Sequence, residues 1–169
     1  MFPTKGPTML RVLSVLAVMA PLPAFALSCV PHGVTDAYHQ AADAEAAYVP
    51  VLGTLDFDAS AAPQVDWEAQ QDTPPVTLIP ATFKGEALTV RGIAQPFATD
   101  VVLEVRCAGP WCPQPQPGPM LGFLRKTSHS YVLNTNICGG FMFGRPTDAD
   151  VQQVKDCLAG RTCKPLANY

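Results

Sequence analysis

The chain has 169 residues, 48% of them hydrophobic and 15% charged, with eighteen prolines, six cysteines and a formal net charge of −3. That length and balance suit one domain able to bury a sizeable core. The acidic balance argues against nucleic acid as a partner.

Lys5 and Arg11 form a short basic start, an apolar run follows over 12–20, and Pro21 and Pro23 precede Ala24-Phe25-Ala26. This order fits a secretory signal with an A-x-A cleavage site. The apolar run is shorter than the roughly 20 residues of a membrane span. We expect residues 1–26 to be a signal peptide and 27–169 a single exported domain, periplasmic or secreted, with no transmembrane segment after cleavage. Cleavage after Ser28 and lipidation at Cys29 are the alternatives. Beyond residue 26 the charge is uneven: 27–83 carries eight acidic residues and no Lys or Arg. A solvated acidic loop region accounts for this.

In chain order, 35–47 predicts a helix that Thr35 can cap. A strand follows over 48–57, with Pro50 putting it at an edge or a bulge. The stretch 58–75 is polar, acidic and Pro-containing, a long mobile loop. Segments 76–83 and 87–93 predict a β-pair turning at Lys84-Gly85-Glu86, and 101–106 alternates as a half-buried strand does. Prolines 110, 113, 115, 117 and 119 make 107–119 an extended surface connection. Segments 120–125 and 130–134 predict a second hairpin. Over 147–159 a helix is expected, capped by Thr147 or Asp148, with Val151, Val154 and Leu158 on one face and Gly160 ending it. Short strands with two helices predict a small, closed or partly open β-barrel.

All six cysteines, Cys29, Cys107, Cys112, Cys138, Cys157 and Cys163, follow the signal. An even count in an exported chain predicts three disulfides, with 15 connectivities open.

Catalytic and metal chemistry find little footing. Cys29 and His32 have the spacing of half a zinc site but lack a second half. Asp56 and Asp58 begin like a calcium loop without its Gly and Glu. Ser128-His129-Ser130 puts a base beside hydroxyls that a strand would turn to opposite faces. Cys107 and Cys112 are separated by four residues, not the two of a redox pair. Glu104 has no partner carboxylate, and Arg125-Lys126 is too small for a nucleic-acid patch. We expect no catalytic residues, no metal site and no cofactor.

The start Leu27-Ser28-Cys29-Val30-Pro31-His32 resembles the mature start of the tissue inhibitors of metalloproteinases, which open Cys-Ser/Thr-Cys with Pro and His close behind. Those inhibitors belong to the netrin-like modules. Phe83-Lys84-Gly85 resembles that family's Phe-Lys-Gly turn, Cys112 falls near its cysteine before the next hairpin, and Leu121-Gly122-Phe123-Leu124 resembles its next strand. The stretch 131–138 resembles a strand ending in a cysteine, and Cys157 sits on a C-terminal helix.

The resemblance implies an OB-fold-like, five-stranded, disulfide-stabilised β-barrel with flanking helices. It implies Cys29 paired with Cys138, leaving Cys107 with Cys112 and Cys157 with Cys163. It also implies a non-catalytic binding module whose contact residues are Leu27, Ser28, Cys29, Val30 and Pro31, beside the 107–119 loop. The partner would be an extracytoplasmic protein, a metalloprotease among the candidates. Leu27 departs from the family, which there has the cysteine whose α-amine and carbonyl chelate the protease zinc. A structural envelope protein or lipoprotein, or a small secreted enzyme, are the rival readings.

The intact mass of the mature, unreduced protein should match residues 27–169 less two hydrogens for each of three disulfides. A mass carrying a diacylglyceryl group, or a start at Cys29, would contradict the Ala26 cleavage.

Overall fold

A computed structural model describes residues 28–90 and 94–166. The expected signal peptide and Leu27 lie outside the described residues. Helix α1 (Val34–Asp43) is followed by β1 (Tyr48–Phe57), β2 (Val76–Leu88), β3 (Ala94–Arg106), β4 (Gly118–Lys126), β5 (Tyr131–Asn136), β6 (Gly139–Gly140), β7 (Met142–Gly144) and α2 (Asp148–Leu158). The architecture is mostly β, with two short helices and three disulfides.

Five strands form a ring in the order β1-β2-β3-β5-β4, with β4 returning to β1. Every pairing in it is antiparallel except β3 with β5, which run parallel from Val101↔Tyr131 to Arg106↔Asn136. Alternation along the strands sends one set of side chains inward. Val51, Leu55, Ile79, Phe83, Leu103 and Leu133 are among those that meet there, each at most 1% exposed. A second cluster lies outside the ring. There Leu121 and Phe123 of β4 meet Val34 and Ala37 of α1 and Val154 of α2. Strand β4 is therefore buried on both faces from Met120 through Leu124.

The helices form as local rules require. Val34, Ala37, Tyr38 and Ala41 recur at helical spacing and face the second cluster. Thr147 caps α2 by accepting from the Asp150 amide at 3.2 Å, and Asp150 returns to the Thr147 amide at 2.8 Å. Thr35 does not cap α1. Gly33 holds the N-cap position, and its amide donates to Asp36 at 2.9 Å. Thr35 lies inside the first turn and is buried.

Lys84-Gly85-Glu86 is not a turn, so the Phe83-Lys84-Gly85 part of the resemblance does not carry over as one. Strand β2 runs straight through it, pairing with β1 on one side and β3 on the other. Gly85 instead faces Gly53 across the β1/β2 ladder. A Cβ on Gly85 would lie 2.6 Å from the Gly53 Cα and closer still to the Leu52 carbonyl oxygen. Gly marks a close backbone approach here. The second expected hairpin holds only at its turn, because β4 and β5 pair at just Arg125↔Val132 and Lys126↔Tyr131. The 58–75 loop is also better anchored than its composition predicts. Ala62 enters the ring core, and Gln114 donates to the Pro63 carbonyl at 3.0 Å.

Two prolines sit in interior strands at points where no donor is needed. Phe123 donates to Phe141 at 3.0 Å, away from β1, so Pro50↔Phe123 is a non-hydrogen-bonded pair. The Pro50 nitrogen thus faces β2, whose ladder with β1 starts only at Val51↔Ala87. Pro80 lies just past the other end of that ladder, which stops at Phe57↔Ala81.

Replacing Gly85 by Ala should cost about 3 kcal/mol, because backbone rather than a movable side chain blocks the methyl. Guanidinium denaturation would measure it, and a loss under about 1 kcal/mol would contradict the close approach.

Candidate functional site

The N-terminal segment is fixed to the turn after β5. Cys29 is bonded to Cys138, 109 residues away. Asn136 steadies the turn by accepting from the Cys138 amide at 2.9 Å. His32 then donates its ring Nε2 proton to the Gly140 carbonyl at 2.8 Å, which fixes that nitrogen as protonated. The ring stacks on Phe143, with centroids 5.9 Å apart and planes 16° from parallel. It also lies over Gly139, whose φ of 141° and lack of a Cβ both matter, since any Cβ would collide with the imidazole.

The base of the segment is tied to the C-terminal end. Asp36, buried at the start of α1, accepts from the amides of Gly33 at 2.9 Å and Leu166 at 3.3 Å. His39 donates to the Cys163 carbonyl at 2.9 Å, next to the Cys157–Cys163 disulfide. With both ends held, Ser28, Cys29, Val30 and Pro31 stand exposed, Val30 at 68%. A cavity of about 350 Å³ opens between this segment, Asp36 and Gln40 of α1, and Asn136, Cys138 and Gly140.

The proline-rich 107–119 connection, stapled by Cys107–Cys112, lines a different groove of about 330 Å³ with Met142, Gly144 and Arg145. The two grooves share no lining residue, although Thr135 lines one and its neighbour Asn136 the other. Arg145 adopts a left-handed φ of 52° where its amide donates to the Pro119 carbonyl at 2.9 Å. A larger groove of about 820 Å³ lies on the outer face of β2 and β3, lined by Leu78, Pro80, Asp56, Asp58 and Asp100 among others.

The residues weighed for chemistry are dispersed or engaged. The Cys29 sulfur is in a disulfide, so Cys29 and His32 make no zinc half-site. Ser60 donates hydroxyl and amide to Asp58, and these bonds hold its carboxyl below the usual range. Glu104 accepts from Arg106 and from Asn134. Asp156 is likewise held low, by Arg161 and then Gln152. His129 is exposed in the β4–β5 turn. Among the described residues, no three His, Cys, Asp or Glu side chains cluster to hold a metal ion, and no helix is long and apolar enough to cross a membrane.

Sequence reasoning missed what pins the segment: His32 on Gly140, and Asp36 on the C-terminal chain. The Gly139-Gly140 pair was the available signal, since adjacent glycines mark backbone that something approaches closely. Comparison with known proteins finds no matching family model, no matching curated protein and no matching solved structure.

Removing Cys29 and Cys138 together should cost about 4–5 kcal/mol by the chain-entropy estimate for a loop of about 100 residues, against about 2 kcal/mol for either local pair. Parallel denaturation of the three paired Cys→Ala variants tests this ranking, and an equal cost for all three would refute it.

Proposed function

We propose that this chain is an exported, non-catalytic protein-binding module of the netrin-like kind, with an OB-fold-like barrel at its centre. The observation that carries the reading is the disulfide-fixed N-terminal segment, held rigid with four exposed residues at its tip. A tethered, pre-ordered tip avoids roughly 1–2 kcal/mol of backbone ordering cost per residue on binding.

Further support comes from the ring order with its single parallel pairing of β3 and β5, and from the N-terminal and C-terminal helices packing together outside one wall. The three disulfides are the pairs that the resemblance implies, and they suit an oxidising, extracytoplasmic compartment. The non-catalytic reading is favoured by the engagement of all six cysteines in disulfides and of the His32 and His39 ring nitrogens on backbone carbonyls. A disulfide at Cys29 also leaves no sulfur for a lipid thioether, which disfavours the lipoprotein alternative.

The partner in this reading is an extracytoplasmic protein that meets Leu27, Ser28, Cys29, Val30 and Pro31. Zinc chelation in the inhibitor manner is disfavoured, because Leu27 has no disulfide to hold the α-amine in place. A photoreactive residue at position 30 of the oxidised protein should give a discrete adduct with an extracytoplasmic protein, competed by unlabelled protein. The same group at the exposed Gln153 of α2 should not. Lack of a competed adduct at position 30 would sink the reading, and nanomolar inhibition of a zinc endopeptidase would revise its account of Leu27.

A further inference from the structure

The first part of β2, Val76–Pro80, is an open sheet edge. The Cys107 amide donates to the Pro75 carbonyl at 3.0 Å, which makes alternate pairs of the β2/β3 ladder hydrogen-bonded. By that alternation, Val76↔Arg106, Leu78↔Glu104 and Pro80↔Val102 are the non-bonded pairs. The main-chain groups of Val76, Leu78 and Pro80 therefore point away from β3, toward the side β1 occupies higher up. But β1 leaves at Phe57, opposite Ala81, and turns at Asp58 into a short 3₁₀ turn (Ala59–Ala61). Pro80 is where the next β2 donor toward β1 would fall, and it has none. Below it, no strand pairs with this side of β2 among the described residues.

The side chains beside this edge are apolar and the rim is acidic. Leu78 is 61% exposed and Val76 38%. Pro80 and Val102 complete an apolar floor in the groove of about 820 Å³. Asp56, Thr82 and Asp100 lie in register across β1, β2 and β3, so two carboxylates close one end of the floor. Asp58 adds a third at the groove wall. No Lys or Arg lines this groove. The nearest cations by register are Arg106, engaged with Glu104, and Lys84, which lines an adjoining groove.

We propose that the Val76–Pro80 edge of β2 takes an extended segment of a cationic partner protein as an added strand, its apolar residues on Leu78 and Pro80 and its basic residues on Asp56, Asp58 and Asp100. Strand addition uses the main-chain groups that Leu78 and Val76 leave open. The carboxylates select the partner. They disfavour self-pairing of two such edges, because two copies would bring like charges together, and they disfavour nucleic acid for the same reason. This surface is separate from the N-terminal site, so either proposal stands or falls without the other.

The test uses the oxidised protein and short capped peptides whose every-second residues, those on one face of the strand, are valine at one end and lysine (or, in the counterpart, glutamate) at the other, with threonine between. Labelled Lys–Val peptide should bind by fluorescence anisotropy, its Glu–Val counterpart should not, and hydrogen exchange at the Leu78 amide should slow on binding. Methylating one alternating set of peptide amides should abolish binding, and methylating the other set should not. Asp56→Asn with Asp100→Asn, both at exposed positions, should weaken binding roughly tenfold while the circular dichroism spectrum is unchanged. The proposal is overturned by no binding of Lys–Val peptide, by equal binding of Glu–Val peptide or by indifference to both methylation patterns. Slow Leu78 exchange in the free protein, or dimerisation through this edge, would also overturn it.

Discussion

The ring depends on how β4 and β5 are joined. They pair directly at only two positions, Arg125↔Val132 and Lys126↔Tyr131, and then diverge. Phe141 fills the gap: its amide donates to the Asn134 carbonyl at 2.8 Å, and its carbonyl accepts from Phe123 at 3.0 Å. One residue thus continues both ladders, and its ring packs against both hydrophobic clusters. On either side of it β6 pairs with β5 and β7 with β4, so the segment 139–144 covers both edges where the two strands diverge. The N-terminal anchor is built on this same stretch. Cys29 bonds Cys138 just before it, and His32 holds Gly140 immediately beside Phe141. The exposed tip and the closure of the ring are therefore mechanically one unit.

Strand β4 connects that closure to the helices. Met120 and Leu124 point into the ring, whereas Leu121 and Phe123 point outward against Val34 and Val154. Burying each such side chain contributes about 1.5–3 kcal/mol. The outer cluster is what holds α1 to the ring, and α1 begins one residue after Gly33, at the foot of the N-terminal segment. The segment is thus gripped from two sides: by the disulfide to the closing turn, and by a helix seated on the doubly buried strand.

Much of this was legible where local chemistry and tertiary role agree. The bounds of β1, the Thr147 cap and the 107–119 connection as far as Pro117, with Gly118 and Pro119 already in β4, follow from alternation, capping and proline spacing. The failures share a cause. Gly85 looks like turn chemistry in one dimension, and only the facing Gly53 shows it to be a backbone contact. Pro96 and the polar residues around it hid the first half of β3, which pairs with β2 throughout its length. Thr35 looks like a cap, but burial of α1 against β4 puts Gly33 there instead. At the candidate site, the cysteines were legible and the pinning by His32 and Asp36 was not, because those bonds join residues more than a hundred positions apart.

Charge and proline position belong to one argument. Pro50 and Pro80 both face the β1/β2 seam, one just beyond each end of the ladder. At the upper end the loss is covered, because Leu88 and Tyr48 turn into the outer cluster with the helices. At the lower end β1 departs and no strand replaces it among the described residues, so β2 is there paired on one side only. Open edges invite association, and proteins commonly guard them with charge. Here the guard has one sign: Asp56 and Asp58, from a stretch of 57 residues, 27–83, that contains no Lys or Arg, stand around the edge with Asp100 of β3. A guard of mixed sign would repel little and select nothing. An acidic one keeps copies of this chain apart while leaving the edge open to a segment of opposite charge. Two acids of the stretch that looked like a solvated loop in sequence, Asp56 and Asp58, thus border the Val76–Pro80 end of β2, which among the described residues pairs with β3 alone.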